Sequence, residues 1–464
     1  MIRHNRILFG LVLTLLGSIA LQGKLYAKVS QSEADKLGTV LTPFGAIKEG
    51  NKAGTIPPWE GGIQEIPENY EGPGHHHPDP FADDKAKLII SNSNYLTLAD
   101  SLTPGQIGMF ETYPDTFEMH IYPTRRSQSL PEWIIKNIKQ NAVTSELSKG
   151  GVGIKDAYGG IAFPILHGSE SEKALQAMWN HMTRWRGIFF KRSFAEITVK
   201  YNGDYAVSTK RQEAFVNFYD PKGSFKTLDN VLFYFLNFIE SPPRLAGGAV
   251  LVHETLDQTK EERSVWDYSA SQRRVFRAPN VAYDSPIASS DNTRVADDSD
   301  MFNGAPDRYN WKYKGIKEYY IPYNTYKLNQ KNVTYKELAT PFHLNPDFVR
   351  WELHRVHVVE ATLKPDATHI YKKRVFYIDE DSWSIVLVDQ YDENDKLWRV
   401  SMSMTQNFYE LPGVFQSANV FHDLQSKKYS INGLYSEEKE SPTFENELPN
   451  KRHFKPSTLR RRGR

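Results

Sequence analysis

The sequence has no cysteine among its 464 residues. Disulfide bonds, thiol nucleophiles and cysteine-based metal or iron–sulfur sites are therefore excluded. A bacterial lipoprotein is excluded as well, because it needs a cysteine to carry its acyl chains. Hydrophobic residues make up 39% and charged residues 24% of the chain. These fractions are typical of globular proteins with a sizeable core, and they argue against disorder, collagen and coiled coil.

The chain also lacks a large excess of either charge, with 57 Lys+Arg, 56 Asp+Glu and a formal net charge of +1. Acids outnumber bases in residues 28–450, so we expect no nucleic-acid surface on the body of the protein. Residues 451–464 hold seven bases and no acid. This basic C-terminal tail is predicted to be solvated and disordered, and contact with an anionic outer-membrane surface is the alternative.

Only one long apolar run is present, and it lies at the N-terminus. Arg3 and Arg6 precede the run Ile7–Leu21, and Ala27 places a small residue at the expected cleavage point. The run is shorter than the ~20 residues that span a bilayer. Residues 1–27 therefore predict a secretory signal peptide, with an uncleaved anchor helix as the alternative. We expect the mature chain in the periplasm, with peripheral attachment to the outer membrane left open.

Catalytic signatures are missing too. There is no G-x-S-x-G elbow, phosphate loop or complete dinucleotide fingerprint, so the sequence indicates neither an enzyme nor a cofactor. Residues 253–257 begin like a zinc-protease helix but end in Asp rather than His. Residues 75–79, with three His and one Asp, and the acidic stretch 297–304 resemble metal-binding segments. A solvated loop and an acidic turn are the simpler interpretations, and no metal site is predicted.

The N-terminal part of the mature chain is rich in glycine and proline between residues 38 and 74. Such density disfavours regular helix and central strand, so residues 28–128 are predicted to form an arm over the body 129–450. Ile56 and Trp59 would anchor it. Helices are predicted over 130–147 and 170–186, where apolar residues recur at spacings of three and four.

The remaining pattern is dominated by strands. A hairpin is predicted across Asn202-Gly203-Asp204, because this triplet is typical of tight turns. The predicted strands cover 188–201, 205–219, 249–255, 264–268, 273–277, 353–363, 368–378, 383–391 and 397–407. Leu228–Ile239 is apolar nearly all round and is predicted to be a buried helix that plugs the sheet. The fold class is α+β, with one large curved antiparallel sheet that holds helices on its concave side.

Several motifs together resemble a known family of exported proteins of Gram-negative bacteria. The family has no assigned function and is commonly labelled outer-membrane lipoprotein-sorting protein. The motifs that carry the resemblance are Leu41–Ala46, Pro57–Gly62, Tyr122–Arg126, Gly159–Pro164, Trp179–His181, Arg273–Asn280, Asp300–Gly304 and Ile321–Asn324. The resemblance covers nearly all of residues 30–434. It implies a fold similar to LolA and LolB, an unclosed β-barrel whose apolar concave face is covered by helices, and an envelope transporter as partner.

These observations predict a non-enzymatic periplasmic carrier for a lipid or another hydrophobic molecule. Aromatic and arginine side chains would bind it, since Arg274 and Phe276 share one face of a strand and a guanidinium forks onto carboxylate or phosphate. The candidate ligand-binding residues are Trp179, Trp185, Phe233, Phe235, Trp266, Arg274, Phe276 and Arg277. A charge ladder on an edge strand is the structural alternative for the arginines. The functional alternatives are an envelope hydrolase acting on hydrophobic esters or glycans, and a scaffold or sensor for a transporter complex.

Overall fold

The computed structural model describes residues 28–462 except 259, 279–282 and 446. The expected signal peptide, residues 1–27, lies outside the described residues. Within them, no helix combines the length and the apolar character needed to cross a membrane. The α-helices are α1 (Gln31–Ala34), α2 (Pro104–Thr112), α3 (Glu132–Thr144), α4 (Glu170–Thr183), α5 (Tyr335–Leu338) and α6 (Pro456–Arg462).

The strands dominate the described chain. The first ten are β1 (Leu88–Ile90), β2 (Met119–Ile121), β3 (Glu146–Leu147), β4 (Ile154–Lys155), β5 (Phe189–Val199), β6 (Tyr205–Phe215), β7 (Val231–Ile239), β8 (Ala249–Thr255), β9 (Ser264–Ser269) and β10 (Arg274–Ala278). The others are β11 (Tyr309–Pro322), β12 (Trp351–Leu363), β13 (Lys373–Asp379), β14 (Ile385–Tyr391), β15 (Leu397–Phe408), β16 (Gly413–Asp423), β17 (Lys428–Leu434) and β18 (Thr443–Glu445).

All strands except the small pair β3–β4 belong to one 16-stranded sheet. Its order is β1-β2-β12-β13-β14-β15-β16-β17-β5-β6-β7-β8-β9-β10, with β11 paired to β12 and β18 paired to β5. Neighbours run antiparallel, apart from one parallel pairing of Trp351 with Ile121. In the part of the chain that the structure describes, the end strands β1 and β10 do not pair with each other, so the sheet stays open. The predicted α+β class with one large unclosed sheet is confirmed.

Most predicted elements are present close to their predicted bounds. The hairpin forms between β5 and β6, with Val199 opposite Tyr205 across the expected turn. Helix α4 begins after Ser169, whose hydroxyl accepts the backbone N–H of Glu172 while the Glu172 carboxylate accepts the backbone N–H of Ser169. This reciprocal capping fixes the first turn, as the sequence pattern predicts.

The predicted plug helix over Leu228–Ile239 is wrong, because this stretch forms strand β7. Asp229 and Asn230 adopt positive φ angles of 51° and 57°, which turns the chain directly before the strand. The run is rich in β-branched and aromatic residues, which favour the extended conformation. It is apolar all round because both faces of β7 receive apolar contacts, with Leu236 and Phe238 buried on one face and Phe235 half-buried on the other.

Helix α4 packs on strands β11 and β12 and thereby defines the inner face of the sheet. Residues 289–301, here called the cover segment, lie on the same face against β5, β14 and β15. Buried ion pairs hold the segment there, with Arg294 on Glu196 and Asp297 on Arg374. The middle of the inner face is therefore occupied by the protein's own polar chain, which the sequence indicated only as an acidic turn.

Residues 451–462 of the basic C-terminal tail pack on the sheet, which differs from the predicted solvated and disordered segment. Its helix α6 packs on β8, β9 and β10 from the outer face. Leu459 is fully buried, and the ring of Phe454 lies 5.4 Å from that of Tyr234. Arg462 and His453 both bond to the buried carboxylate of Glu213. The composition of the tail alone indicates disorder, but Leu459, Phe454 and the carboxylate of Glu213 contribute to docking it on the sheet.

The N-terminal arm contributes to both the core and the sheet. Ile56 is buried, and Trp59 is partly buried with its indole N–H donating to the Gln128 carbonyl at 2.9 Å. Residues 28–128 also contain β1, β2 and α2, so their second half adds regular elements beyond an irregular arm.

Candidate functional site

The candidate site is built on strands β6–β10, here called the wing, at the end of the sheet that the cover segment leaves open. Ala214, Phe235, Val252 and Val265 lie directly opposite one another on successive strands. Opposite residues in antiparallel strands point to the same face. They form an apolar row that runs across four strands of the inner face.

A second row lies two residues along each strand from the first. Its members, from β5 to β10, are Arg192, Gln212, Asn237, Val250, Asp267 and Phe276. The row is polar where it starts at the covered middle of the sheet and includes apolar Val250 and Phe276 farther out. Rows two residues apart on a strand are ~6.8 Å apart, so an elongated ligand can contact both.

The two faces of the wing differ sharply in burial. On the outer face, under α6, Leu236 and Leu251 are 0% exposed. On the inner face, Phe235 and Val252 are half-buried, and Phe276 is 43% exposed. Single exposed apolar residues are ordinary, but a contiguous apolar surface is typical of a binding site. The inner face of the wing is such a surface.

The structure brings four of the eight predicted ligand-binding residues to this surface. Phe233, Phe235, Arg274 and Phe276 alternate along β7 and β10 so that all four side chains belong to the inner face. The guanidinium of Arg186, just after α4, lies 5.7 Å from the centre of the Phe233 ring. The inner end of the apolar surface is therefore bordered by positive charge.

The other four predicted residues lie elsewhere. Trp266 and Arg277 face each other on the outer face, where Arg277 donates to Ser264 at 3.1 Å. Trp179 and Trp185 are buried in the core, and their indole N–H groups donate to the carbonyls of Gly151 and Leu411. Helical spacing and aromatic content identified these residues, but neither signal separates a core tryptophan from a ligand contact.

Sequence reasoning missed Arg192, which lies between the cover segment and the wing. The residue is 8% exposed, and its Nε donates to Gln212 Oε1 at 2.7 Å. Burial lowers the pKa of Arg192 to about 10, partly opposed by the nearby Asp300 carboxylate. The signal for this residue is the alternation Phe190-Arg192-Phe194 on β5, which places one cation between two rings on the inner face.

His181 joins three elements at the covered side of the site. Its Nδ1 accepts the backbone N–H of Ile385 at 3.0 Å, and Nε2 lies 2.8 Å from the carbonyl of Asp300. Burial and the neighbouring Arg184 lower the pKa of His181 to about 3. A neutral imidazole that accepts at one nitrogen and donates at the other matches this geometry. His181 therefore fixes α4 to β14 and the cover segment.

The stretch proposed as a solvated loop at 75–79 is largely packed. His76 Nδ1 bonds to the Asn329 carbonyl at 2.8 Å, and His77 Nε2 lies 2.8 Å from Glu410 Oε2. Asp297 and Asp300, from the second sequence candidate, are paired with arginines. Both stretches are therefore engaged in the protein's own contacts.

One cluster of the described residues has the spacing of metal ligands. Single ligand atoms of His354, Asp379 and Asp381 all lie within 4.8 Å of one another. The donor set fits poorly, because both oxygens of Asp381 already accept Arg126 at 2.6 and 2.9 Å. His354 Nε2 lies 3.0 Å from Glu352 Oε2. The arrangement is that of a buried network of ion pairs.

A surface cleft of about 670 Å³ lies outside the sheet, between the arm and α3. It is lined by Leu37, Pro43 and Trp133 together with the charged side chains of Lys136 and Lys139. It has no contact with the wing residues, so it is separate from the candidate site.

The family model described as a protein of unknown function, DUF1329, matches residues 89–460. The uncharacterized protein PA3922 of Pseudomonas aeruginosa is 42% identical over 445 residues, which are 95% of this chain and 95% of that protein.

Similar solved structures have low sequence identity. A Vibrio parahaemolyticus domain described as that of an outer membrane lipoprotein-sorting protein is 15% identical. The match covers 62% of this chain and 99% of that domain, with a TM-score of 0.42. A LolA superfamily protein from Nitrosomonas europaea is 14% identical, with coverage of 61% and 97% and a TM-score of 0.35. Because the family model and the P. aeruginosa relative both extend over most of its length, the chain belongs to the DUF1329 family.

Proposed function

We propose that this protein binds a lipid or another hydrophobic molecule on the inner face of the wing and carries it through the periplasm without chemical change. The observation that carries the proposal is the asymmetry of the wing. Most outer-face residues of β7–β9 are buried by the chain itself, whereas the described residues leave Phe235, Val252 and Val265 on the inner face only half-buried.

The physical need for a carrier follows from the cost of exposing an acyl chain to water. At about 0.8 kcal/mol per methylene, a chain of ~16 carbons costs on the order of 13 kcal/mol. An open apolar strip recovers part of this energy for the side of the ligand that it contacts. Because the middle of the inner face is filled by the cover segment, the ligand would lie along the wing rather than inside a closed barrel.

The proposal also includes a periplasmic location, an envelope transporter as partner and contact with the outer membrane. The N-terminal pattern supports export to the periplasm, and we propose an envelope transporter as the source or acceptor of the ligand. The C-terminal tail supports contact with the outer-membrane surface, since Lys451, Arg452, Lys455, Arg460 and Arg461 are all exposed. Basic residues near an anionic surface contribute about 1 kcal/mol each.

The proposal is tested with the exported chain purified from the envelope. We expect native mass spectrometry to show a mass above that of the polypeptide, and a solvent extract to contain the corresponding hydrophobic molecule. After delipidation, a pyrene-labelled fatty alcohol should bind saturably. An unliganded mass, an empty extract and no binding of the alcohol would together overturn the proposal.

A further inference from the structure

The further inference concerns Arg192, and it rests on the proposed function because it names the chemistry of the ligand's head. Nine arginines are buried in the described residues. Eight of them form ion pairs with carboxylates: Arg126, Arg184, Arg186, Arg294, Arg350, Arg355, Arg374 and Arg399. Arg192 is the exception, because its one hydrogen bond goes to the neutral amide of Gln212.

A buried guanidinium that makes no ion pair is costly, since it loses its hydration. The nearby Asp300 carboxylate offsets this cost only in part, because it is already paired with Arg184 and Arg186. In the described part of the chain, neither Nη atom of Arg192 donates a hydrogen bond, yet neither belongs to the polar atoms sealed from solvent. The side chain is held in place, with its guanidinium carbon 4.6 Å from the Phe194 ring centre and 6.0 Å from that of Phe415. Because Nε is engaged by Gln212, the free part of the guanidinium is the edge formed by its two Nη groups. A fixed pair of N–H donors of this kind is the geometry that binds carboxylate or phosphate.

The neighbours of Arg192 extend this donor set. Gln212 and Asn237 follow it on the next two strands, on the same face. Among the described residues, neither amide nitrogen donates a hydrogen bond, although Gln212 Oε1 accepts from Arg192 and Asn237 Oδ1 is buried without a partner. Within the described residues, the row therefore offers one cation and two amide nitrogens without a hydrogen-bond acceptor, side by side.

The surrounding charge is positive as well. Arg184 and Arg186 share the single carboxylate of Asp300. Glu196, four residues along β5 on the same face, is engaged by both Lys210 and Arg294. Five cations thus face two carboxylates.

The remaining acid of the row, Asp267, lies on β9. Four strand spacings separate it from Arg192 on β5, a distance of roughly 19 Å. It is too far away to act as the missing counterion.

We propose that Arg192, with Gln212 and Asn237, binds the acidic head of an amphiphile, a carboxylate, phosphate or sulfonate, whose apolar body lies along Phe235, Val252 and Val265. The head site and the apolar row are adjacent, because Asn237 and Phe235 are two residues apart on β7. The ligand class is therefore an anionic amphiphile rather than a neutral hydrophobe.

The test compares a pyrene-labelled fatty acid with the matching pyrene-labelled fatty alcohol on the delipidated full-length mature chain. We expect the wild type to bind the acid about tenfold or more tightly than the alcohol, because a charged bidentate contact is lost with the alcohol. Arg192→Met should reduce this ratio to near one while alcohol binding persists. Lys191→Met is the matched control, since it removes a charge on the same strand but on the opposite face, and it should keep the ratio.

The other possible results of this binding test overturn the head site, the carrier function or both. Equal binding of acid and alcohol by the wild type overturns the head site but leaves the proposed carrier function standing, whereas no binding of either overturns both. Retention of the preference in a folded Arg192→Met variant also overturns the head site. If inorganic phosphate alone displaces the labelled acid at comparable concentration, the site takes a free anion and the amphiphile is rejected. The ratio of acid to alcohol affinity in the wild type and the competition with phosphate need no variant. They therefore test the head site even if Arg192→Met does not fold.

Discussion

Asp300 Oδ2 accepts a hydrogen bond of 2.6 Å from Arg186 Nη1, which joins the cover segment to the end of α4. The other oxygen accepts Arg184 Nη2 at 2.5 Å. Although burial alone would raise the pKa of Asp300, the two arginines lower it far below its usual value. One carboxylate therefore neutralises two buried guanidinium groups at the border of the candidate site.

The first prediction follows from this sharing. Asp300→Asn leaves Arg184 and Arg186 buried without a counterion, so we expect the free energy of unfolding to fall by about 3–5 kcal/mol. Urea denaturation measures it. Asp291→Asn is the control, because Asp291 also belongs to the cover segment but pairs with Lys428 at the exposed surface. In the control, the free energy of unfolding should fall by less than about 1 kcal/mol. A similar decrease in both variants would contradict the prediction.

The second prediction concerns pH and the docking of the C-terminal helix. Burial would raise the pKa of Glu213, but hydrogen bonds from His453 and Arg462 lower it to about 2 from 4.5. A carboxyl whose pKa is depressed in the folded state stabilises fully above its unfolded pKa, and this contribution is lost as the pH falls from about 4.5 to about 2. Glu213→Gln should therefore lower the free energy of unfolding by about 2 kcal/mol near neutral pH and change it little near pH 2.

Unfolding of the wild type and Glu213→Gln at both pH values checks this expectation. Glu240→Gln provides the control, since Glu240 pairs with Arg211 in a half-exposed position on the same part of the surface. It should have a small effect at either pH. If the free energies of unfolding of the wild type and Glu213→Gln differ by the same amount at both pH values, the ion pairs of Glu213 do not supply the stability.

The third prediction concerns Gly433, which lies at the bulge of β17 beside Arg192. Its φ angle is 110°, and an added Cβ would lie 3.0 Å from the Ser417 carbonyl oxygen. Gly433→Ala should therefore combine backbone strain with crowding. Gly315→Ala is matched for strain alone, because its φ is 96° and nothing lies within 4 Å of an added Cβ.

We expect Gly315→Ala to lower the free energy of unfolding by about 1–2 kcal/mol, as measured by chemical denaturation. Gly433→Ala should lower it by at least about 1 kcal/mol more. Equal losses would mean that the contact with Ser417 is relieved at no cost.

Much of the sheet could be predicted from local sequence, because turn residues such as Asn202-Gly203 and alternating side chains specify hairpins without tertiary information. β7 could not, since a stretch that is apolar on both faces fits a buried helix and a strand with two apolar faces equally well. The helix α6 could not be predicted from the basic composition of the tail. Leu459 and Phe454 stabilise it only by packing on the outer face of β8–β10, which is a tertiary contact.

The site was predictable only in part. Alternation on β10 placed Arg274 and Phe276 together correctly, because period two is a property of the strand itself. Alternation on β5 also places Arg192 between Phe190 and Phe194, but it does not distinguish Arg192 from the paired arginines, since pairing depends on carboxylates from distant segments. The pairing of Asp300 with Arg184 and Arg186 is set by long-range folding, and it leaves Arg192 as the unpaired group.

The most direct measurement is the dissociation constant of the pyrene-labelled fatty alcohol for the wild type, Val252→Asp and Leu96→Asp. Val252 is half-buried in the middle of the apolar row, whereas Leu96 is 70% exposed and lies outside the wing. A carboxylate placed in the row must be desolvated by the ligand, so Val252→Asp should weaken binding at least tenfold, while Leu96→Asp should bind like the wild type. Unchanged binding by a folded Val252→Asp variant would contradict the claim that the inner face of the wing holds the ligand.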